Sequence, residues 1–518
     1  MTKFDYNDES VVVIVGSGPG GATLAKQLCA KGVKVVMLEA GSRLTPNDFI
    51  QDETRMSEKW FWPDKRVLSG VPGLPLMLKT VGGTANHFSG CAIRFQSHEF
   101  KALSTYGGIA GANLLDWPLT FDEMLPYYEQ AELNMGVTQR HDMPPLPGSN
   151  NFKVFYAGAK KLGFSKVHTG YMAINSVARD GRPPCQQMGF CLQGCKLTAK
   201  WSPLYVEIPK AESTGNLDLR VGCTALQVHH DAQGKATGVL YADRDGKQQF
   251  QKARIVSIAA NSVETPRLFL NSATSKFSDG LANGSGQVGK NYMSHCYSTV
   301  YGIFDKPVHM HRGTVQAGLV EDMAGYDPKR GFPGGYYLQL VHFGPNTHAT
   351  VDLDGSLGAN AWGKDASSIV DTYDYQAGLW VLGEDMPMET SRVTLNEEKD
   401  KFGLSIPNVH FDSHPMDQVK LDHGIKVGSE LYKSVGARRT YKVDLGPGGH
   451  NMGTMRMSAN ARDGVVNKFG QTHEISNLFV SDGSQFTTSG SPNPTLTIVA
   501  LSLRQADYII EQMKKNQI

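Results

Sequence analysis

Three cysteines lie close together in one segment of the chain. Cys185, Cys191 and Cys195 occur in PPCQQMGFCLQGC, where prolines and glycines favour a tight loop, while the other four cysteines are scattered at positions 29, 91, 223 and 296. Thiolates grouped in this way could bind an iron–sulfur cluster. A zinc site would need a fourth ligand, and the loop contains no histidine. A purely structural loop is the third interpretation.

A dinucleotide-binding motif near the N-terminus could serve a redox cofactor. Residues 11–15, VVVIV, have the pattern of a buried parallel strand and run into GSGPGGATLAKQLCAKG, in which Gly16, Gly18 and Gly21 have GxGxxG spacing. In such a motif the first glycine permits the turn, the second lets the backbone approach a pyrophosphate, and the third lets the helix pack on the strand. The next strand ends at Glu39, whose carboxylate could accept hydrogen bonds from ribose hydroxyls. Together with the helix N-terminus, these elements predict a dinucleotide site.

The pattern beyond this motif favours FAD over NAD. An NAD domain would continue with regularly alternating strands and helices, but residues 69–90 form a glycine-rich, irregular stretch. Segments that could complete the sheet return only later, where 219–230 and the following VLYAD stretch predict hairpin strands, 253–270 predicts a core strand and a helix, and 477–486 predicts a last strand. A nucleotide domain assembled from distant segments suits a flavoprotein better.

The bulk properties of the chain limit its class. A length of 518 residues suggests two or three regions, and 40% hydrophobic residues with 56 glycines fit a loop-rich globular enzyme. A net charge of +1 gives no electrostatic footprint for nucleic acid or an anionic membrane. No apolar run reaches the about 18 residues of a membrane helix. The polar start MTKFDYNDES is unlike a secretory signal, which predicts a cytoplasmic location.

Several ordered motifs resemble the glucose–methanol–choline (GMC) flavin oxidoreductases over nearly the full length of the chain. They are GSGPGGATLA with LEAG, VGGTANHFSGCAIRF, AANSVETPRLFL, GQVGKNYMSH, GHNMGTMRMS and NLFVSDGSQFTTSGSPNPTLTIVALS. The resemblance implies an α/β fold with a Rossmann-like FAD-binding domain assembled from residues 1–100, 200–295 and 441–518. It further implies an insertion at 101–199 that carries the cysteine loop, and an α+β substrate-binding domain with an antiparallel sheet at 296–440.

The resemblance also implies roles for residues near the C-terminus. His450, in GHNMGT, would take the hydroxyl proton of the substrate as a base near neutral pH. Asn493, in SPNPTLT, would hydrogen-bond the substrate oxygen as negative charge develops. Asp482 and Gly483 would lie near the flavin pyrophosphate or ribityl chain, whereas His295 is interpreted as a packing residue. The implied reaction is oxidation of a CH–OH group of a sugar, glycoside or polyol by hydride transfer to FAD.

Other segments would contact the cofactor or the substrate. Gly83 and His87 lie in VGGTANHFSG, where some members of the family attach the flavin through histidine, and packing against the flavin is the alternative. Val221 would offer backbone groups to the adenine. Substrate recognition is expected from the middle of the chain, where aromatic faces would suit sugar rings. These aromatics are Tyr336, Tyr337, Phe343, Trp362 and Trp380.

The cysteine loop is most similar to that of the large subunits of bacterial sugar, sugar-acid and polyol dehydrogenases, in which this spacing holds a 3Fe-4S cluster. This chain has Lys196 where those relatives have a proline after the last cysteine. The resemblance implies electron transfer through the cluster to an external acceptor, with a small chaperone-like subunit and a cytochrome c subunit as partners. The small subunit of such relatives carries the export signal, so a periplasmic or membrane-associated location is the alternative to the cytoplasm.

Two other functions stay open at this point. A soluble FAD sugar oxidase would pass its electrons to dioxygen, and a covalent flavin at His87 without iron would favour it. A non-redox lyase on the same fold would bind flavin, but no alcohol would bleach it.

Overall fold

A computed structural model of the chain describes residues 2–60, 64–71, 76–352, 362–444 and 448–518. The strands of these ranges, in chain order, are β1 (Val12–Val15), β2 (Val35–Glu39), β3 (Val67–Gly70), β4 (Val167–His168), β5 (Leu217–Val221), β6 (Thr224–His230), β7 (Ala236–Ala242), β8 (Gln248–Lys252), β9 (Ile255–Ile258), β10 (Cys296–Ile303), β11 (Leu319–Val320), β12 (Tyr336–Leu340), β13 (Gln376–Gly383), β14 (Arg392–Lys399), β15 (Ser405–Phe411), β16 (Arg439–Asp444) and β17 (Leu478–Val480). The helices are α1 (Pro19–Ala30), α2 (Glu53–Trp60), α3 (Ala102–Tyr106), α4 (Phe121–Met135), α5 (Asn150–Lys161), α6 (Glu207–Glu212), α7 (Glu264–Asn271), α8 (Pro345–Thr347), α9 (Lys364–Val370), α10 (Pro415–Ser434) and α11 (Thr495–Lys514).

A five-stranded parallel sheet forms the nucleotide-binding part, with the strand order β17-β9-β1-β2-β5. Val12 of β1 lies opposite Val35 on one side and Ile255 on the other. Every residue of β1, β2 and β9 is buried, as expected for apolar strands that are covered on both faces. Helices α1 and α11 pack against each other. The sheet is assembled from segments far apart in the sequence, which confirms the Rossmann-like α/β class.

A six-stranded antiparallel sheet, in the order β16-β10-β13-β12-β11-β4, forms the second large layer. Helices α5 and α10 pack on it. Two glycines let α10 lie close to the sheet, because a Cβ at Gly424 would meet Val381 Cγ1 at 2.3 Å and one at Gly428 would meet Leu379 Cδ1 at 3.0 Å. The antiparallel sheet of the predicted fold class is therefore confirmed.

Two three-stranded sheets complete the strands, in the orders β14-β15-β3 and β6-β7-β8. Residues 219–230, predicted as one hairpin strand, contain the end of β5 and all of β6, which belong to different sheets. Gly222 turns the chain between them in a left-handed conformation, with φ +70°. Among the helices of the described ranges, none combines the length and apolar character that a bilayer-spanning segment needs.

Candidate active site

One cavity of about 1040 Å³ lies at the carboxyl ends of the parallel strands and extends to the antiparallel sheet. This edge of an open α/β sheet is where ligands bind, because the loops that follow the strands diverge there. The wall includes Ala259 after β9 at one end and Tyr297 and Trp380 of β10 and β13 at the other. The predicted site residues in the wall are Gly16, Gly18, Glu39, Gly83, His87, His450, Asp482, Gly483 and Asn493.

The glycine loop after β1 is shaped by close backbone contacts. Gly16 has φ +99°, and a Cβ there would lie 2.3 Å from the carbonyl oxygen of Ala259. Gly21 is not part of the wall, but a Cβ on it would lie 2.2 Å from the carbonyl oxygen of Gly16. Apart from Gly18 and its chain neighbours, no described residue has an atom within 4 Å of the Cβ position of Gly18, which leaves the open space that a pyrophosphate needs. Gly20 lies outside the GxGxxG spacing, yet a Cβ on it would come within 1.6 Å of the Ser481 carbonyl oxygen.

The N-terminus of α1 and the Glu39 carboxylate offer complementary contacts to a dinucleotide. Gly18 is the N-cap of α1 and no side chain caps the helix, so its first N–H groups and its dipole can act on a bound phosphate. Ser17 donates its backbone N–H and its hydroxyl to Glu39 Oε2 at 3.1 and 2.6 Å, and the Gly41 N–H donates to Oε1 at 2.7 Å. Burial raises the pKa of Glu39, while these donors oppose the rise. They also fix the carboxylate at the end of β2, where ribose hydroxyls can reach it. These features fit FAD.

Asp482 and Gly483 line the cavity just beyond β17. Asp482 Oδ2 accepts hydrogen bonds from the Asn261 N–H at 2.9 Å and the Thr265 hydroxyl at 2.6 Å, so this carboxylate joins the loops that follow β9 and β17. Val221, at the end of β5, lies outside the wall. Its neighbours at positions 223–225 line the cavity instead, because the turn at residue 222 directs the chain back toward it.

Gly83 and His87 approach the cavity from the irregular stretch after β3. Gly83 has φ +57°, and its Cβ would lie 3.0 Å from Gly18 Cα, so this residue closes the loop onto the phosphate-binding turn. His87 follows a short 3-10 turn and lines the cavity. Burial, and then the positive charge of Lys200, lower the pKa of His87 to about 4. A neutral imidazole therefore faces the cofactor space.

His450 is held by a histidine that the sequence analysis interpreted as a packing residue. His295 is buried, and its Nδ1 lies 2.7 Å from His450 Nδ1. His295 Nε2 lies 3.4 Å from the carbonyl oxygen of Ser489, which can only accept. His295 Nε2 therefore carries the proton, its Nδ1 accepts, and His450 donates from Nδ1. This network assigns the His450 tautomer whose Nε2 lone pair faces Asn493.

Asn493 is oriented from its other side by Gln339. Gln339 Nε2 donates to Asn493 Oδ1 at 2.6 Å, which leaves Asn493 Nδ2 to donate to His450 Nε2 at 3.3 Å. Gln339 lies on β12, whereas Asn493 precedes α11. The antiparallel sheet therefore sets the direction of a side chain that belongs to the nucleotide-binding part.

Burial controls the protonation of this pair of rings. It lowers the pKa of His450 to about 4 and that of His295 well below its ordinary value, with the neighbouring His450 as the second cause for His295. Both rings are therefore neutral near pH 7. A neutral His450 whose Nε2 carries no proton can accept one from a hydroxyl group.

The end of the cavity near the antiparallel sheet has aromatic faces and polar donors. Trp380 packs against Tyr297 and Phe343 with ring centroids 5.6 and 5.9 Å away. Trp380 Nε1 and Gln316 Nε2 are buried nitrogens without a hydrogen-bond partner among the described residues, and both side chains line the cavity. Trp362, by contrast, is 86% exposed. Hydroxyl groups of a ligand would give the two buried donors the partners that such groups normally have.

The cysteine loop packs behind the cavity wall. The two residues that follow Cys191, at positions 192 and 193, line the cavity. Cys185, Cys191 and Cys195 are free of disulfides. Burial raises the pKa of Cys191 to about 11, and the nearby Cys185 and Cys195 add to the rise. The three residues thus carry free thiols in one loop, and a cluster would take them as thiolates.

Lys200 joins the cysteine loop to the segment that carries His87. Only 1% of Lys200 is exposed, and its Nζ donates to the carbonyl oxygens of Asn86, Phe88 and Cys191 at 3.0, 2.5 and 2.6 Å. Burial lowers its pKa to about 8, while Cys191 and Cys195 oppose the shift. No sequence pattern singles out this lysine, because its partners come from two separate loops.

Known proteins share this fold and its motifs. The family models described as GMC oxidoreductase match residues 67–297 and 387–502, and one described as FAD binding domain matches 9–48. A 2-methyl-1,2-propanediol dehydrogenase of Mycolicibacterium austroafricanum is 32% identical, over 97% of this chain and 95% of its own. The fructose dehydrogenase large subunit of Gluconobacter japonicus is 28% identical, over 97% and 98%. The crystal structure of pyridoxine 4-oxidase from Mesorbium loti has the same fold, with a TM-score of 0.69 at 15% identity over 97% of this chain and 99% of its own.

Proposed function

Because the chain belongs to the GMC oxidoreductase family and is an FAD-dependent oxidoreductase of alcohol- or sugar-type substrates, we propose that it is a dehydrogenase. It oxidises a CH–OH group of a polyol or sugar and passes the electrons to an external acceptor. The observation that carries this proposal is the hydrogen-bonded series His295, His450, Asn493 and Gln339, in a cavity that also holds the dinucleotide motif.

His450 and Asn493 have separate roles: one binds the hydroxyl proton, and the other hydrogen-bonds the substrate oxygen. FAD, when bound, supplies the hydride acceptor. His450 Nε2 takes the hydroxyl proton, and His295 keeps that nitrogen deprotonated beforehand by accepting from Nδ1. Asn493 donates from Nδ2 to the substrate oxygen while its negative charge develops. Burial disfavours the protonated ring, as the pKa of about 4 for His450 shows, so His450 readily releases its proton for the next cycle.

The substrate proposal rests on the donors and faces near Trp380. Trp380 Nε1 and Gln316 Nε2 need acceptors, and the hydroxyl groups of a polyol or sugar supply them while the C–H faces pack on the aromatic rings. A relative named for a 1,2-diol and another named for fructose support the same substrate class. We therefore propose that the carbon to be oxidised binds beside His450 and Asn493.

The electron acceptor proposal rests on the cysteine loop. A 3Fe-4S cluster, when bound at Cys185, Cys191 and Cys195, carries single electrons. The loop contributes two residues to the cavity wall, and the buried Lys200 ammonium lies beside it. A relative named as a large subunit supports an assembly with other chains, for which we propose a small chaperone-like subunit and a cytochrome c subunit.

Anaerobic reduction of the bound FAD tests the dehydrogenase proposal. We expect 1,2-diols or sugars to bleach the flavin, and His450→Ala to slow this bleaching about 100- to 10,000-fold with FAD still bound. Reduction at an unchanged rate in His450→Ala would contradict the role of this histidine. If no 1,2-diol or sugar bleaches a fully loaded flavin, the proposed substrate class is wrong.

Iron analysis and low-temperature EPR test the cluster separately. We expect a three-iron signal in anaerobically purified, then oxidised protein, and its loss in Cys191→Ser. Cys29→Ser is the matched control, because Cys29 is a buried cysteine of α1 outside the loop. Iron-free protein that still oxidises substrate would reduce the loop to a structural element and favour an oxidase that uses dioxygen.

A further inference from the structure

A second set of chemically active side chains lies outside the cavity. His309 and His311 belong to the connection between β10 and β11, and Asp374 lies in the short 3-10 turn just before β13. One ring nitrogen of each histidine and a carboxylate oxygen of Asp374 all lie within 4.8 Å of one another. Asp374 Oδ1 is 3.2 Å from His309 Nδ1 and 3.7 Å from His311 Nδ1. Neither the reaction proposed above nor the cofactor motifs use these residues.

The inward edges of the two imidazole rings have an ion-pair neighbour in Asp374 but, among the described residues, no hydrogen-bond partner. His309 Nδ1 and His311 Nδ1 are buried atoms, and within the described part of the chain neither has a hydrogen-bond partner. Buried polar atoms of folded proteins nearly always have one. The two side chains as a whole are 32% and 33% exposed, so it is specifically the Nδ1 edges that are turned inward, toward the shared carboxylate. A cation between the three groups would satisfy all of them.

Local contacts hold both rings in this arrangement. The carbonyl oxygen of Asp374 accepts the N–H groups of Val308 and His309, each at 2.8 Å. The His311 ring stacks on Tyr373, with centroids 5.5 Å apart and planes 15° from parallel. His309 has φ +52°, a left-handed conformation that is unfavourable for a residue with a side chain. The His309 ring therefore lies beside Asp374 on a backbone in the left-handed conformation.

We propose that His309, His311 and Asp374 bind one divalent metal ion of the zinc class. Two imidazole nitrogens and one carboxylate oxygen are donors that Zn²⁺ accepts, whereas Mg²⁺ and Ca²⁺ prefer oxygen ligands. Bond lengths of about 2.0–2.2 Å put the ligand atoms of a tetrahedral zinc site about 3.3 Å apart. The separations of 3.2 and 3.7 Å in this structure are close to that value. Water would complete the coordination, because 52% of the Asp374 side chain is exposed to solvent.

The ion fastens the connection after β10 to the start of β13, and that connection supports the cysteine loop. The Thr314 N–H donates to Gln187 Oε1 at 3.1 Å, and Thr314 Oγ1 lies 3.7 Å from Cys185 Sγ. A ligand that binds only the folded state stabilises it by an amount that rises with the logarithm of the free ligand concentration above its Kd. Zinc bound at this site therefore raises the thermal stability of the protein without touching the flavin.

Metal titration of the FAD-loaded protein tests the site. The protein is treated with a chelator, desalted and titrated with zinc chloride by calorimetry, with bound zinc counted by mass spectrometry. We expect at least tenfold weaker zinc binding in His311→Gln and Asp374→Asn, and a melting temperature that no longer rises with zinc. His410→Gln is the matched control, because His410 lies 3.0 Å from Asp412 without belonging to this group. Cys191→Ser tests whether the cysteine loop takes the zinc instead.

Each outcome decides the proposal. Zinc binding that is kept in His410→Gln and Cys191→Ser but lost in His311→Gln supports it. Binding that is unchanged in His311→Gln and Asp374→Asn, or lost only in Cys191→Ser, overturns it. Cobalt-loaded wild-type protein gives a readout that needs no variant. Tetrahedral d–d absorption without a thiolate charge-transfer band supports the site, and a thiolate band or no cobalt absorption contradicts it.

Discussion

Replacing His295 by leucine should slow flavin reduction without removing the flavin. The leucine takes away the atom that accepts from His450 Nδ1 at 2.7 Å, in a place where only 2% of residue 295 is exposed. A buried donor that loses its partner costs about 1–3 kcal/mol. His450 avoids this cost by moving its proton to Nε2, where it blocks proton uptake from the substrate. The productive tautomer, and with it the reduction rate constant, should fall about 5- to 150-fold.

His295→Asn is the matched variant, because asparagine Oδ1 can occupy the place of histidine Nδ1 and still accept. We expect this variant to recover most of the rate in anaerobic stopped-flow reduction of FAD by substrate. FAD content and melting temperature serve as controls, and the apparent substrate Kd should stay unchanged because Asn493 keeps its contact with Gln339. A leucine variant as fast as wild type, or an asparagine variant as slow as leucine, would refute the tautomer argument.

Three further outcomes follow from the site. Gln339→Leu removes the donor to Asn493 Oδ1 at 2.6 Å. Flavin reduction should then slow about tenfold, while FAD titration shows an unchanged affinity. An unchanged rate of flavin reduction would contradict the orienting role of Gln339. Gly20→Ala puts a Cβ 1.6 Å from a backbone carbonyl oxygen and should lower the melting temperature of the apoprotein. Gly18→Ala should leave that temperature unchanged and weaken FAD binding. Equal effects of the two substitutions would argue against a pyrophosphate site at Gly18. Because burial lowers the pKa of His450 to about 4, the unfolded chain binds this proton more readily, so the free energy of unfolding should fall by about 3 kcal/mol as the pH drops from 6.5 to 4. Urea unfolding between pH 6.5 and 4 should show a smaller decrease in the free energy of unfolding for His450→Gln than for the wild type. An equal decrease in both proteins would mean that the histidine is not buried in the neutral form.

Local patterns predicted much of the fold because they report what each segment must bury. The β-branched run at 11–15 became β1, fully buried in a parallel sheet. Glycines follow this strand at positions 16, 18 and 21. Backbone atoms leave no room for a side chain at positions 16 and 21, whereas position 18 borders open space. The predicted hairpin is confirmed as the antiparallel pair of β6 and β7, but its first strand begins at Thr224, because residues 219–221 belong to β5. One apolar pattern covered two strands, and only the turn at Gly222 separates them.

The sequence by itself determined the family, the dinucleotide motif and the residue types of the proposed base and its partner. Those features lie in short segments, and short segments keep their pattern wherever the chain folds. Only the tertiary structure decided that His295 orients His450, that Gln339 orients Asn493, and that Lys200 joins two loops. The two side-chain pairs are 155 and 154 residues apart in the sequence, and Lys200 reaches backbone carbonyls 114 and 112 residues away. Their geometry depends on how the two large sheets pack, and no local pattern carries that information.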